Sequence, residues 1–169
     1  PYTTLFRSIL RKNNMCMEFE KNLSGTNKRV AIVVAEFNEM VTEALLRGAL
    51  DRLKALGVSS ENIAVARVPG AFEIPGVCRR LVETSSYDAV IALGSVIRGE
   101  TSHYDAVVNA VTSGIASLSA EGKVPVLFGV LTTDTVEQAL NRAGLKAGNK
   151  GADVAQSAIQ LANLYQKIK

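Results

Sequence analysis

Cysteine and histidine are the scarcest chemically useful residues in this chain, and their scarcity narrows the chemistry most. The two cysteines, Cys16 and Cys78, lie far apart with no C-x-x-C spacing, and His103 is the single histidine. That count argues against a metal site and against a disulfide framework. Two free thiols fit a reducing cytoplasm. Long apolar runs are missing too. Hydrophobic residues make up 47% of the chain and mean hydropathy is +0.15, yet no uninterrupted run approaches bilayer-spanning length. The chain therefore reads as soluble, and its raised hydropathy hints at buried subunit contacts. There is no repeat, no low-complexity tract and no interdomain linker. At 169 residues the chain fits one domain with a substantial core.

A charge excess of one sign is also lacking where it would matter. The formal net charge is +3, but six of the 19 basic residues and only two of the 16 acidic ones fall in residues 1–29. The remainder holds 13 basic and 14 acidic residues, a net of −1. A folded part that is not basic has lost the main electrostatic support for binding nucleic acid.

Residues 1–27 show no apolar period and read as a disordered N-terminal extension ahead of a domain over 28–169. The basic opening superficially resembles a transit peptide, but its apolar face is poor. Pro1-Tyr2-Thr3-Thr4-Leu5-Phe6-Arg7-Ser8 matches the translation of a sequencing-adapter oligonucleotide. Residues 1–14 are accordingly read as an artefact, with Met15 or Met17 as the start.

From Lys28 the pattern alternates. Strands are expected at Arg29–Ala35, Ile63–Val68, Ala89–Ile97 and Val124–Leu131. Helices are expected from Val41 to Gly57, from Phe72 to Glu83, from His103 to Ala120, over Val136–Arg142 and over Asp153–Lys167. Four strands joined by helical crossovers mean a parallel sheet covered on both faces, a three-layer αβα sandwich.

The stretch from Gly94 to Asp105, GSVIRGETSHYD, is the organising feature. It joins a buried strand to a helix. Gly94 and Gly99 allow close backbone approach, and Thr101 or Ser102 can cap the helix, with Asp105 at capping-box spacing from Ser102. A helix start of this kind offers free N–H groups to a phosphate. His103 falls in the first turn, where the helix dipole favours a neutral ring able to take a proton. Two further loops reach the same sheet edge: Glu36-Phe37-Asn38-Glu39, and Pro69-Gly70-Ala71-Phe72-Glu73-Ile74-Pro75. Phe37 there can stack on a planar ligand or cover the core. Glu73 can accept hydrogen bonds from a pyrimidine-like ring or serve only as a first-turn acid.

These motifs, together with Phe128-Gly129, Leu131-Thr132-Thr133 and the run from Arg142 to Gly151, follow one another in the order found in a known family. Over residues 28–168 the chain resembles 6,7-dimethyl-8-ribityllumazine synthase, a flavodoxin-like transferase of riboflavin biosynthesis. The resemblance implies condensation of 5-amino-6-(D-ribitylamino)uracil with 3,4-dihydroxy-2-butanone 4-phosphate, releasing phosphate and water. It gives Phe37 to the pyrimidine, and it gives Ala71, Phe72, Glu73, Ser95, Val96 and Ile97 to the pocket for that ring and the ribityl chain. Glu100 and Thr101 go to the phosphate loop, Arg142 to the phosphate and His103 to proton transfer. Phe128 would enter from a neighbouring subunit; by strand pattern alone it is a core residue, and Arg142 alone is a basic residue closing a helix. Asn38 and Lys150 are further candidates. No metal or cofactor is implied. The implied partners are the two small-molecule substrates and copies of the chain itself, as a cytoplasmic homopentamer or an icosahedral shell of sixty subunits built from twelve pentamers. Such a shell can enclose riboflavin synthase. A flavodoxin-like FMN-binding module and a catalytically silent shell protein remain the alternatives; the first has no use for His103 or Arg142.

Overall fold

The structure, a computed structural model, describes residues 16–168; the expected artefact at residues 1–14 lies outside them. Val30–Ala35 (β1) has no polar face, and both alternating sets of its side chains are buried. Val30, Ile32 and Val34 join one apolar cluster, and Ala31, Val33 and Ala35 join another. Such a strand is stable only between two helical layers. Ile63–Val68 (β2), Ala89–Ile97 (β3) and Val126–Thr133 (β4) complete a four-stranded sheet of order β2-β1-β3-β4, and every pair in it is parallel.

Five helices form the outer layers: Glu39–Ala55 (α1), Ile74–Glu83 (α2), His103–Glu121 (α3), Val136–Arg142 (α4) and Lys150–Lys167 (α5). Leu45, Leu53, Ala139 and Ile159 of α1, α4 and α5 cover the first cluster, and Ile74, Cys78, Val111 and Ile115 of α2 and α3 cover the second. This is the expected single-domain αβα sandwich of flavodoxin-like strand order. Large side chains such as Ile32, Leu45, Ile91 and Ile159 are fully buried, each contributing about 1.5–3 kcal/mol. Burial pushes the Cys78 thiol up to about 12, so at neutral pH this residue packs rather than reacts.

Helices α1 and α5 pack closely because glycines stand at their contact. A side-chain carbon at Gly151 would collide with the Leu45 carbonyl oxygen. Beside it, Asn149 Oδ1 accepts from the Ala152 amide at 3.1 Å and caps α5, while Asn149 Nδ2 donates to the carbonyls of Ala44 (3.0 Å) and Ala143 (3.1 Å). One side chain therefore joins α1, the end of α4 and the start of α5.

Element edges differ from expectation for local reasons. The Asn149 cap starts α5 at Lys150, ahead of the expected Asp153. Strand β4 begins at Val126 rather than Val124, since Pro125 has no amide hydrogen; its carbonyl accepts from Val90 N at 2.9 Å. The helix expected from Phe72 divides into a 3-10 turn at Ala71–Glu73 and then α2, whose first turn holds Pro75.

Residues 16–27 contain no helix or strand, but Asn22–Gly25, read from sequence as part of the extension, is hydrogen-bonded to the domain. Asn163, only 6% exposed, donates from Nδ2 to the carbonyls of Asn22 and Ser24, both at 3.0 Å. The Gly25 amide donates to the Leu56 carbonyl at 2.8 Å. Deleting residues 1–27 would strand the buried Asn163 amide, at about 1–3 kcal/mol for an unsatisfied donor. Calorimetry should therefore show a melting point lower by about 3–10 °C for that deletion than for a deletion that stops before Asn22.

Candidate active site

The strand order sets the position of the site. The crossover from β1 leads to β2 on one side, and β3 lies on the other. Connections that diverge from neighbouring parallel strands leave a crevice at their carboxyl ends. A cleft of about 680 Å³ opens there. The loop after β1 supplies Phe37 and Asn38, the loop after β2 supplies Pro69, Gly70, Ala71, Phe72 and Glu73, and β3 with its loop supplies Ser95, Val96, Ile97, Gly99 and Thr101. Helix α3 adds His103, Tyr104 and Val107.

Asn38 pins this arrangement. Its backbone is left-handed (φ 61°, ψ 47°), a region asparagine tolerates better than most residues. Its Nδ2 donates to the Ser95 carbonyl at 2.8 Å, tying the β1 loop to β3, and its own carbonyl accepts from Val41 and Thr42 of α1. On the other side, the Glu36 and Phe37 amides donate to the Val68 and Pro69 carbonyls at 2.8 and 3.1 Å. With the backbone held on both sides, the Phe37 ring stands 72% exposed at the cleft, near Phe72 at 61%. Exposed aromatic rings at a cleft mouth are suited to stacking on a planar ligand.

The second loop folds back on itself through the Glu73 amide, which donates to the Gly70 carbonyl at 3.3 Å. Glu73 Oε2 lies so near Gly70 that a side-chain carbon there would sit 3.2 Å away. Glycine at this position leaves room for the carboxylate.

The third loop departs from expectation. Ser102 (φ −73°, ψ 0°) makes no side-chain cap, because its backbone has already turned away from the extended conformation that aims a cap side chain at the helix start. Thr101 Oγ1 instead accepts from the His103 amide at 3.4 Å, and the Asp105 carboxylate faces Arg98 at 3.6 Å rather than forming a capping box. Ser95 Oγ is the one buried side-chain polar atom without a hydrogen-bond partner among the described residues.

Ten of the sequence candidates line the cleft: Phe37, Asn38, Ala71, Phe72, Glu73, Ser95, Val96, Ile97, Thr101 and His103. Glu100, Phe128, Arg142 and Lys150 do not. Glu100 is exposed on the third loop. Phe128 pairs with Ala92, three positions before the Leu131–Ser95 pair, and so sits roughly 10 Å along the strand from the cleft. Arg142 is exposed at the end of α4, and Lys150 is exposed at the start of α5. Tyr104 and Val107 escaped the sequence reading, although Val107 lies one helical turn beyond His103. No lysine or arginine is among the described lining residues, whose charged or proton-carrying members are Glu73, His103 and Tyr104.

Asn38 provides a test of this geometry. Asn38→Gly keeps the left-handed backbone but loses the bond to Ser95, about 0.5–1.5 kcal/mol, and adds a smaller entropic cost from the freer unfolded chain. Asn38→Ala loses the bond and adds a left-handed penalty of about 1–2 kcal/mol. Urea denaturation should rank the stabilities wild type, then Asn38→Gly, then Asn38→Ala. Equal values for all three would remove the pin.

Among known protein families, the one described as 6,7-dimethyl-8-ribityllumazine synthase matches residues 27–166.

Proposed function

The chain belongs to the 6,7-dimethyl-8-ribityllumazine synthase family, and on that premise we propose that it condenses 5-amino-6-(D-ribitylamino)uracil with 3,4-dihydroxy-2-butanone 4-phosphate. The observation that carries this reading is the convergence, in one cleft, of an exposed aromatic ring, a carboxylate, a histidine and a glycine-containing loop at a helix start. In the proposed reaction Phe37 stacks on the pyrimidine and Glu73 accepts hydrogen bonds from its ring N–H groups. Ala71, Phe72, Ser95, Val96 and Ile97 surround the ring and the ribityl chain. The phosphate rests on the Gly99–Thr101 loop at the start of α3, where backbone N–H groups and the positive end of the helix suit an anion. His103 carries protons as the substrate amine attacks the carbonyl and as phosphate and water leave. The amine is itself the nucleophile, so rate enhancement rests chiefly on holding two substrates together, with proton transfer adding to it.

We further infer that the site is completed by a second copy of the chain. Among the described residues no lysine or arginine lines the cleft, and a phosphate dianion held only by backbone N–H groups lacks the charge-assisted pair that makes such binding strong. Arg142 can supply it with its planar fork, with Lys150 nearby in sequence. Phe128, half-buried on the edge strand β4, is likewise out of reach of its own cleft. Two different surfaces carry exposed apolar side chains: Phe37, Met40 and Phe72 by the cleft, and Val136 and Leu145 at α4 and just after it. Contact between two unlike surfaces is head-to-tail, and where its rotation closes it forms a ring, of which a homopentamer is one case. Among the described residues no helix is long and apolar enough to cross a membrane.

Mixing the purified protein with both substrates and following lumazine absorbance tests the activity; failure to form product would overturn it. Arg142→Ala should raise KM for the phosphorylated substrate by roughly 10–150-fold, the loss of a charge-assisted bond worth about 1.5–3 kcal/mol. His103→Ala should lower kcat by roughly 10²-fold or less. Equal damage by Arg142→Ala to both substrates' KM values would contradict its assignment.

A further inference from the structure

Arg98 stands immediately after β3, outside the cleft lining. Its amide donates to the Thr133 carbonyl at 2.9 Å, carrying the β3–β4 pairing one residue further. Its guanidinium meets three groups from two directions. Nε donates to Asp134 Oδ1 at 3.0 Å, Nη1 lies 3.6 Å from Asp105 Oδ1, and the group lies over the Tyr104 ring at 4.2 Å from its centroid.

These partners are the two ends of one problem. Asp105 and Tyr104 lie in the first turn of α3 beside His103, directly after the Gly99–Ser102 loop. That loop is exposed, and its own hydrogen bonds are few: the 3.4 Å contact from the His103 amide to Thr101, and those that Ser102's carbonyl accepts from Asp105 and Ala106. Asp134, by contrast, belongs to a braced turn. Its amide donates to Gln138 Oε1 at 2.8 Å, the Gln138 amide donates to Thr135 Oγ1 at 3.1 Å, and Thr133 Oγ1 donates to the Thr135 carbonyl at 3.0 Å. Arg98 thus spans the exposed loop from the residue before it to the helix after it, and ties both to the hydrogen-bonded turn after the neighbouring strand.

Magnitudes separate a local role from a global one. The side chains are exposed, at 46% for Arg98, 61% for Asp105 and 68% for Asp134, and exposed pairs add little to the stability of a whole domain. A planar fork shared by two carboxylates and an aromatic face still fixes the geometry of what it joins. The guanidinium, itself outside the cleft lining, is directed to two carboxylates and the Tyr104 ring rather than into the cleft.

We propose that Arg98 is a positioning residue, which holds the Gly99–His103 segment in the shape that receives the phosphate without touching it. The inference rests on the proposed reading of the cleft. Its test compares wild type with Arg98→Gln. The expected result is a KM for the phosphorylated substrate raised by about tenfold, with the pyrimidine KM and the melting temperature nearly unchanged. Amide hydrogen exchange should quicken by about tenfold at Gly99–His103 and stay as in wild type in β1 and β3. In a double-mutant cycle Arg98→Gln with Asp134→Asn should be no worse than Arg98→Gln alone. Exchange at Gly99–His103 equal to wild type, or equal rises in both KM values, would overturn the role. Absence of wild-type turnover would overturn the proposed reaction instead, and the exchange measurement would then decide the role of Arg98 by itself.

Discussion

The hydrogen bond from the Asn38 side-chain amide to the Ser95 carbonyl joins the carboxyl ends of β1 and β3, where the connections of the sheet diverge. Strands β1 and β3 are neighbours, but the chain leaves β1 toward β2, so nothing in the backbone path joins the two carboxyl ends. The side chain of Asn38 makes that junction, and it does so from a left-handed backbone that also starts α1. The aromatic ring beside it is exposed because its neighbours' backbone groups are already paired on both sides. A cleft built at a topological switch point needs a peg of this kind, short, polar and tolerant of positive φ.

Electrostatics divide the labour around that cleft. Inside it stand a carboxylate and an imidazole, beside the start of α3. Arg98, outside the cleft lining, faces Asp134 and Asp105, and the hydrogen bond with Asp134, followed by attraction to Asp105 and Asp134, holds its pKa above the ordinary arginine value. In the proposed reaction the cation that pairs with the phosphate therefore comes from another part of the protein. Arg142, exposed at the end of α4 with Leu145 just beyond it, is turned toward solvent in a single copy. The proposed function and the proposed assembly are in this sense one claim, since each supplies what the other lacks.

Much of the fold was legible because its signals are local. The apolar runs of β1, β2 and β3 and the Val136–Arg142 helix stand where periodicity puts them. The misses share a different cause. The start of α5 depends on Asn149, whose amide also reaches Ala44, far away in sequence. The docking of Asn22 and Ser24 depends on Asn163, more than a hundred residues on. The capping box failed because its spacing was present while the backbone angles at Ser102 were not. At the site, loop residues flanking strands could be gathered from sequence, since parallel sheets collect such loops at one edge. Spacing said nothing of which chain Phe128 and Arg142 would serve, and in one chain both lie outside the cleft.

The shared site is tested most directly by mixing two defective subunits. Protein carrying His103→Ala and protein carrying Arg142→Ala would be unfolded together, refolded as mixed oligomers and assayed with both substrates. If Arg142 serves a neighbour's cleft, some interfaces in the mixture join an intact His103 to an intact Arg142, and turnover should rise well above the sum of the separate variants. Turnover equal to that sum, in oligomers shown to contain both subunits, would contradict the account.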